Sequence, residues 1–136
     1  NTLQTICNNE RDYLGISARI KVGAGSNLTH AYCQYNNKSK EITFDISQLD
    51  HASSTTLLEA LLHSSYHAYE YALVDSYDTM SSDYSKLFDY RIIATYKKEF
   101  STKVTNKAKY YNQINESNAR SYATDALQDY QNMLKK

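Results

Sequence analysis

The stretch SSTTLLEALLHSSYHAYEYAL, residues 53 to 73, constrains the fold more than any other part of the chain. Leu58, Leu61, Leu62, Tyr69 and Leu73 recur there at helical spacing and make an apolar stripe, which predicts one long helix over about 54 to 74. Serines and threonines at its start are N-cap candidates, and Thr56 with Glu59 has the spacing of a capping box.

The pattern before this helix is different. Leu3, Ile6, Cys7 and Leu14 predict a short helix over residues 2 to 14, with Gly15 placed to end it. ISARIKV (16 to 22) then alternates apolar and polar residues with the period of a half-buried strand, and GAGSN turns the chain. THAYCQY and KEITFDI are two further strand candidates, joined by the polar NNKSK. After the long helix, the polar DSYDTMSSD precedes a helical pattern through Leu87, Phe88, Ile92, Tyr96 and Phe100. A last helix is expected from about Asn115, carrying Ala119, Tyr122, Ala123, Ala126, Leu127, Tyr130 and Met133. The expected class is therefore α+β: an N-terminal helix, a small three-stranded, mainly antiparallel sheet, then the long helix and two further helices.

Composition narrows the functions. The 136 residues suit one domain, 1–136, and the first residue is Asn1 instead of methionine, as in a domain excised from a longer protein. Basic and acidic residues balance at 15 each, so no general field draws the chain to nucleic acid or to an anionic membrane. No apolar run reaches the ~18 residues of a membrane span, and the N-terminus lacks the features of a signal peptide. Cys7 and Cys33 are too few for a disulfide framework and lack thiolate-zinc spacing; buried thiols are the default reading and one disulfide the alternative. Fourteen tyrosines and no tryptophan point to a tyrosine-rich core.

The residues with chemistry lie on the long helix. His63 and His67 are four apart, so their imidazoles project from one face and can meet at a common point, a geometry that zinc accepts. Such a pair also arises by chance, and surface or satisfied histidines are the plain alternative. His30 and His51 read as exposed strand or loop residues. A catalytic zinc site adds a third protein ligand, and Glu70, Asp75, Asp78, Asp83 and Asp89 lie on this helix or soon after it, Glu70 close to His67. Glu116, further on, reads by itself as a first-turn carboxylate facing a helix dipole.

TLLEALLHSSYHAYEYAL resembles the active-site helix of zincin metallopeptidases, with Ala68 directly after the second histidine. NESNARSYA places Glu116 and Ala119 as the gluzincin branch places its glutamate ligand and the alanine three residues on, 49 positions after His67 (116 − 67). The resemblance covers most of the chain and extends to small gluzincins and to the metallopeptidase domains of bacterial toxins. It implies a zincin-like fold, Zn²⁺ held by His63, His67 and Glu116, and a protein or peptide substrate. The toxin comparison implies a soluble domain of a secreted bacterial protein, with an inhibitory or immunity protein as partner. The function it implies is a zinc-dependent metallopeptidase.

Ser64 departs from the family. In the motif His-Glu-x-x-His that position holds the general base, the glutamate that takes a proton from the attacking water. A serine hydroxyl has no useful basicity near neutral pH, and general-base catalysis contributes about 10²–10⁴-fold, so hydrolysis by the chain as it stands should be poor. A disabled enzyme and a natural pseudoenzyme both fit; the second would be a peptide-binding or interaction module. A serine nucleophile at Ser64 or Ser65 does not fit, because neither lies in a nucleophile turn and neighbouring helix side chains do not face one another.

Overall fold

The computed structural model describes residues 2–16, 19–23, 32–45, 52–75 and 88–134. Its elements run α1 (Thr2–Leu14), β1 (Arg19–Gly23), β2 (Cys33–Asn36), β3 (Glu41–Asp45), α2 (Ser54–Asp75), α3 (Phe88–Ser101), α4 (Lys107–Tyr111) and α5 (Ile114–Leu134). The class is α+β. Residues 24–27 of the turn GAGSN, His30, His51, Asp78, Asp83 and Leu87 lie outside the described residues.

Gly15 ends α1 as expected, with φ +68°, a backbone conformation that costs glycine little. The amide of Ile16 then donates to the Arg11 carbonyl at 3.0 Å, which closes the helix C-terminus in a Schellman arrangement and turns Ile16 onto the core. Ile16 thus belongs to the helix cap and not to the expected strand, of which residues 19–23 are described as β1.

The sheet is mixed, which corrects the mainly antiparallel expectation. β3 lies in the middle, antiparallel to β2 and parallel to β1, in the order β1-β3-β2. The short connection 37–40 permits only an antiparallel return between β2 and β3. There Asn36 Oδ1 accepts from the amides of Lys38 (2.9 Å) and Ser39 (3.2 Å), and Lys40 takes a positive φ of 57°. β1 instead reaches its neighbour by a crossover to the far edge, a long-range event that leaves no mark on local alternation.

α2 extends over 22 residues, close to its predicted span, and one of the expected serines caps it, although the Thr56–Glu59 capping box does not form. Ser53 Oγ accepts the Thr56 amide at 3.1 Å and lies 2.9 Å from the Thr56 hydroxyl, so Ser53 is the N-cap, while Glu59 is exposed. One side of α2 delivers Leu61 and Ala68 to a core with Cys7, Cys33, Ile42 and Phe44, all but Cys33 at most 2% exposed. Leu57, Ala60, Leu3, Ile6 and Tyr35 flank it. Cys7 and Cys33 are both buried free thiols, which removes the disulfide alternative.

The remaining faces of α2 meet α3 and α5. Ala119 and Ala123 are buried with almost no exposed surface, and such small side chains let α5 approach closely. Tyr66 of α2 stacks on Tyr122 of α5 with ring centroids 4.8 Å apart, and Tyr71 stacks on Phe100 of α3 at 3.9 Å. The tyrosine-rich packing expected from composition is thus present. At the far end, buried Glu10 of α1 accepts hydrogen bonds from Tyr122 and, at 3.0 Å, from Tyr130, which ties the first helix to the last.

α4 is a single short helix absent from the expected inventory. Asn106 caps it through its Oδ1, which accepts the Lys109 amide at 3.0 Å. The start of α5 is held from α3: Glu99 Oε2 accepts the amide of Ile114 at 2.7 Å, and Oε1 accepts the amide and side-chain nitrogen of Asn115, each at 2.9 Å. A carboxylate at a helix N-terminus satisfies orphan amides and meets the positive end of the dipole. This clamp fixes the position of the next residue, Glu116.

Candidate metal centre

α2 contributes two imidazoles one helical turn apart, and the first turn of α5 brings a carboxylate against them. His63 Nε2 lies 3.0 Å from Glu116 Oε2, His67 Nε2 lies 3.1 Å from Glu116 Oε1, and the two Nε2 atoms are 3.0 Å apart. The three side chains offer ligand atoms all within 4.8 Å of one another. Tetrahedral zinc with bonds of about 2.0–2.1 Å places its ligand atoms about 3.3 Å apart, so a small outward movement accommodates such an ion. Two neutral imidazoles and one carboxylate are also a donor set suited to it. The residues present therefore fit a divalent cation.

Burial sets the protonation of this group. Burial works against the charged form of His67, but its hydrogen bonds and charge interactions with Glu116 and Glu70 outweigh that effect and raise its pKa to about 9. Burial likewise pushes the Glu116 pKa up, yet the hydrogen bonds from His63 and His67 and the His67 charge hold it far below the usual carboxylate range. The His63 side chain keeps 27% of its surface exposed, so the cluster has one open side, as a site admitting a further ligand requires.

Glu70 is the residue whose place the sequence left undecided. It lies three positions after His67, with its side chain wholly buried, and its Oε1 is 2.9 Å from His67 Nδ1. It therefore engages the ring nitrogen turned away from Glu116 and is not a member of the ligand cluster. Burial raises its pKa to about 7 against the opposing hydrogen bond and charge of His67. The Tyr96 hydroxyl interacts with the same carboxylate, although Oε2 makes no hydrogen bond of ordinary geometry among the described residues.

The other expectations are also placed. Asp75 is exposed and engages Lys40 Nζ and Asn37 Nδ2, each at 3.3 Å, away from the histidines. Asp89 falls on α3, but its side chain is outside the described residues. Tyr110 at the end of α4 hydrogen-bonds Glu116; its pKa is raised by burial and then by that interaction. No periodic pattern marks Tyr110 in the sequence, because α4 is too short to show a period.

Ser64 faces the sheet. It is 4% exposed, and its Oγ lies 3.3 Å from the Cys33 thiol on the edge strand β2. Burial raises the Cys33 pKa to about 12, with the Ser64 hydrogen bond opposing, so the thiol is protonated and unreactive at neutral pH. Ser65 turns its hydroxyl back to the Leu61 carbonyl at 2.8 Å and is fully occupied there. Among the described residues, neither serine has a histidine base as a hydrogen-bond partner.

Comparison with protein families, with curated proteins and with solved structures gives no significant match.

Proposed function

We propose that the chain is a zinc-binding domain of zincin, gluzincin-like type, with His63, His67 and Glu116 as ligands and with Ser64 standing where a hydrolytic member carries its general base. The observation that carries this reading is the meeting of three donors from two helices, two nitrogens and a carboxylate, at separations close to those of a tetrahedral ion. The order of elements supports it: a helix, a three-stranded sheet with an antiparallel edge strand, the histidine helix beside that edge, and the glutamate on a later helix. Zinc bound here would supply Lewis acidity and activate water.

The chain's own residues then have definite parts. His63 and His67 present Nε2, and Glu116, held by the Glu99 clamp, neutralises part of the charge. Tyr110, half exposed, gives its one hydroxyl proton to Glu116, and would have to turn it from Glu116 to donate to a carbonyl oxygen bound beside it. Among the described residues no strand pairs with the outer edge of β2, whose backbone groups could take an extended peptide, so a protein or peptide is the substrate class. Ser64 takes no proton, and the chain as it stands holds metal and hydrolyses poorly.

Peptide binding without hydrolysis is the second reading, and the Ser64–Cys33 contact favours it. The space that a general base would need is closed by a thiol on the strand next to which substrate would lie. The experiment that separates the two readings is the double variant Ser64→Glu/Cys33→Ala, which supplies the carboxylate together with room for it. Chelator-sensitive cleavage of a proteome-derived peptide library supports the peptidase; zinc-dependent peptide capture without cleavage supports the binding module.

A further inference from the structure

We propose that Glu70 is the positioning residue of the His63–His67–Glu116 centre, taking the Nδ1–H of His67 and so holding that ring in the tautomer and orientation that turn the Nε2 lone pair toward a metal ion. The proposal rests on the zinc-binding reading above.

Three observations carry it. The His67 ring engages Glu70 through Nδ1 at 2.9 Å and the ligand cluster through Nε2, at 3.0 Å from His63 and 3.1 Å from Glu116. A neutral imidazole has one N–H and one lone pair, so a carboxylate that accepts at Nδ1 leaves Nε2 as the bare nitrogen. Second, Glu70 has no exposed side-chain surface, and it is the one ionisable residue among the buried positions of its helix, the others being Leu61, Leu62, Ser64, Ser65 and Ala68. A buried carboxylate with one oxygen lacking a well-formed hydrogen bond is expensive, and an apolar residue there would serve packing better. The cost is understandable if the carboxylate serves the histidine. Third, Glu70 is itself steadied: Tyr96 of α3 interacts with it, and Asn118 of α5 donates to the Tyr96 hydroxyl, so three helices fix the carboxylate.

Carboxylates behind metal-ligating histidines orient the ring and raise its basicity, and losing one typically costs 10–100-fold in metal affinity. Glutamine at position 70 keeps the shape and removes the charge; leucine also removes the acceptor. The test uses the whole chain, with zinc alone as the probe, and compares wild type, Glu70→Gln and Glu70→Leu by competition with a chromophoric chelator. ¹⁵N spectra of the histidine rings of the zinc-loaded wild type accompany it.

The expected result is zinc bound by wild type with His67 protonated at Nδ1 and ligating through Nε2. Affinity should fall by about 10-fold in Glu70→Gln and by more in Glu70→Leu. Variants that lose thermal stability but bind zinc as tightly as wild type overturn the proposal and leave Glu70 a packing residue, with the zinc reading intact. Ligation by His67 through Nδ1 overturns it as well, and this readout needs no variant to fold. Wild type that takes up no zinc overturns the zinc reading itself, and the role of Glu70 with it.

Discussion

Nε2 of His63 and Oε2 of Glu116 stand 3.0 Å apart although 53 residues separate them in the chain. Each is brought there by a different device: the histidine by a helix fixed between sheet and bundle, the glutamate by the Glu99 clamp on the first amides of α5. Removing the carboxylate should therefore affect metal binding far more than folding. Glu116→Gln is expected to lower zinc affinity by more than the roughly 10–100-fold typical of a supporting residue, with the circular-dichroism spectrum unchanged. An isothermal titration that gives the wild-type affinity would remove Glu116 from the ligand set.

The clamp can be tested separately. Glu99→Ala leaves the amides of Ile114 and Asn115 without their carboxylate, at a cost of about 0.5–2 kcal/mol of stability by analogy with lost helix caps. Because Glu116 follows directly, zinc affinity should fall too. Urea unfolding and zinc titration of the same sample measure both.

Position 64 is buried against Cys33, so a single Ser64→Glu change forces a carboxylate into filled space. It should lose about 1–3 kcal/mol from overpacking. Adding Cys33→Ala should recover part of that loss, a coupling that a double-mutant cycle in urea reads directly.

The metal-free protein should lose stability as pH rises through the weakly alkaline range. The His67 pKa is raised in the folded state to about 9, so its contribution is fully present below its unfolded value of about 6.5 and is lost between about 6.5 and 9. Zinc must displace that proton, so the increase in Tm produced by zinc should grow over the same interval. Differential scanning calorimetry with and without zinc checks the opposite signs.

The extent to which the sequence foretold this molecule follows from the range of each interaction. The span of α2 and the convergence of its histidines depend only on a local period, and both were legible. Glu116 was legible as a candidate through its spacing to Ala119, but a helix start has its own use for a carboxylate, so the meeting with His63 needed the tertiary structure. Glu70 was visible as a residue and not as a role, because which ring nitrogen it faces depends on the His67 rotamer. The parallel pairing of β1 with β3 and the hold of Glu10 on Tyr122 and Tyr130 were not legible, since both join segments with no local pattern in common.

Metal content of the purified chain tests the central claim most directly. The protein, freed of metal and then equilibrated with zinc and desalted, should carry one zinc per chain by elemental analysis, and the His63→Ala/His67→Ala variant should carry none. Zinc at trace level in the folded wild type, or equal zinc in wild type and the double variant, would contradict the account.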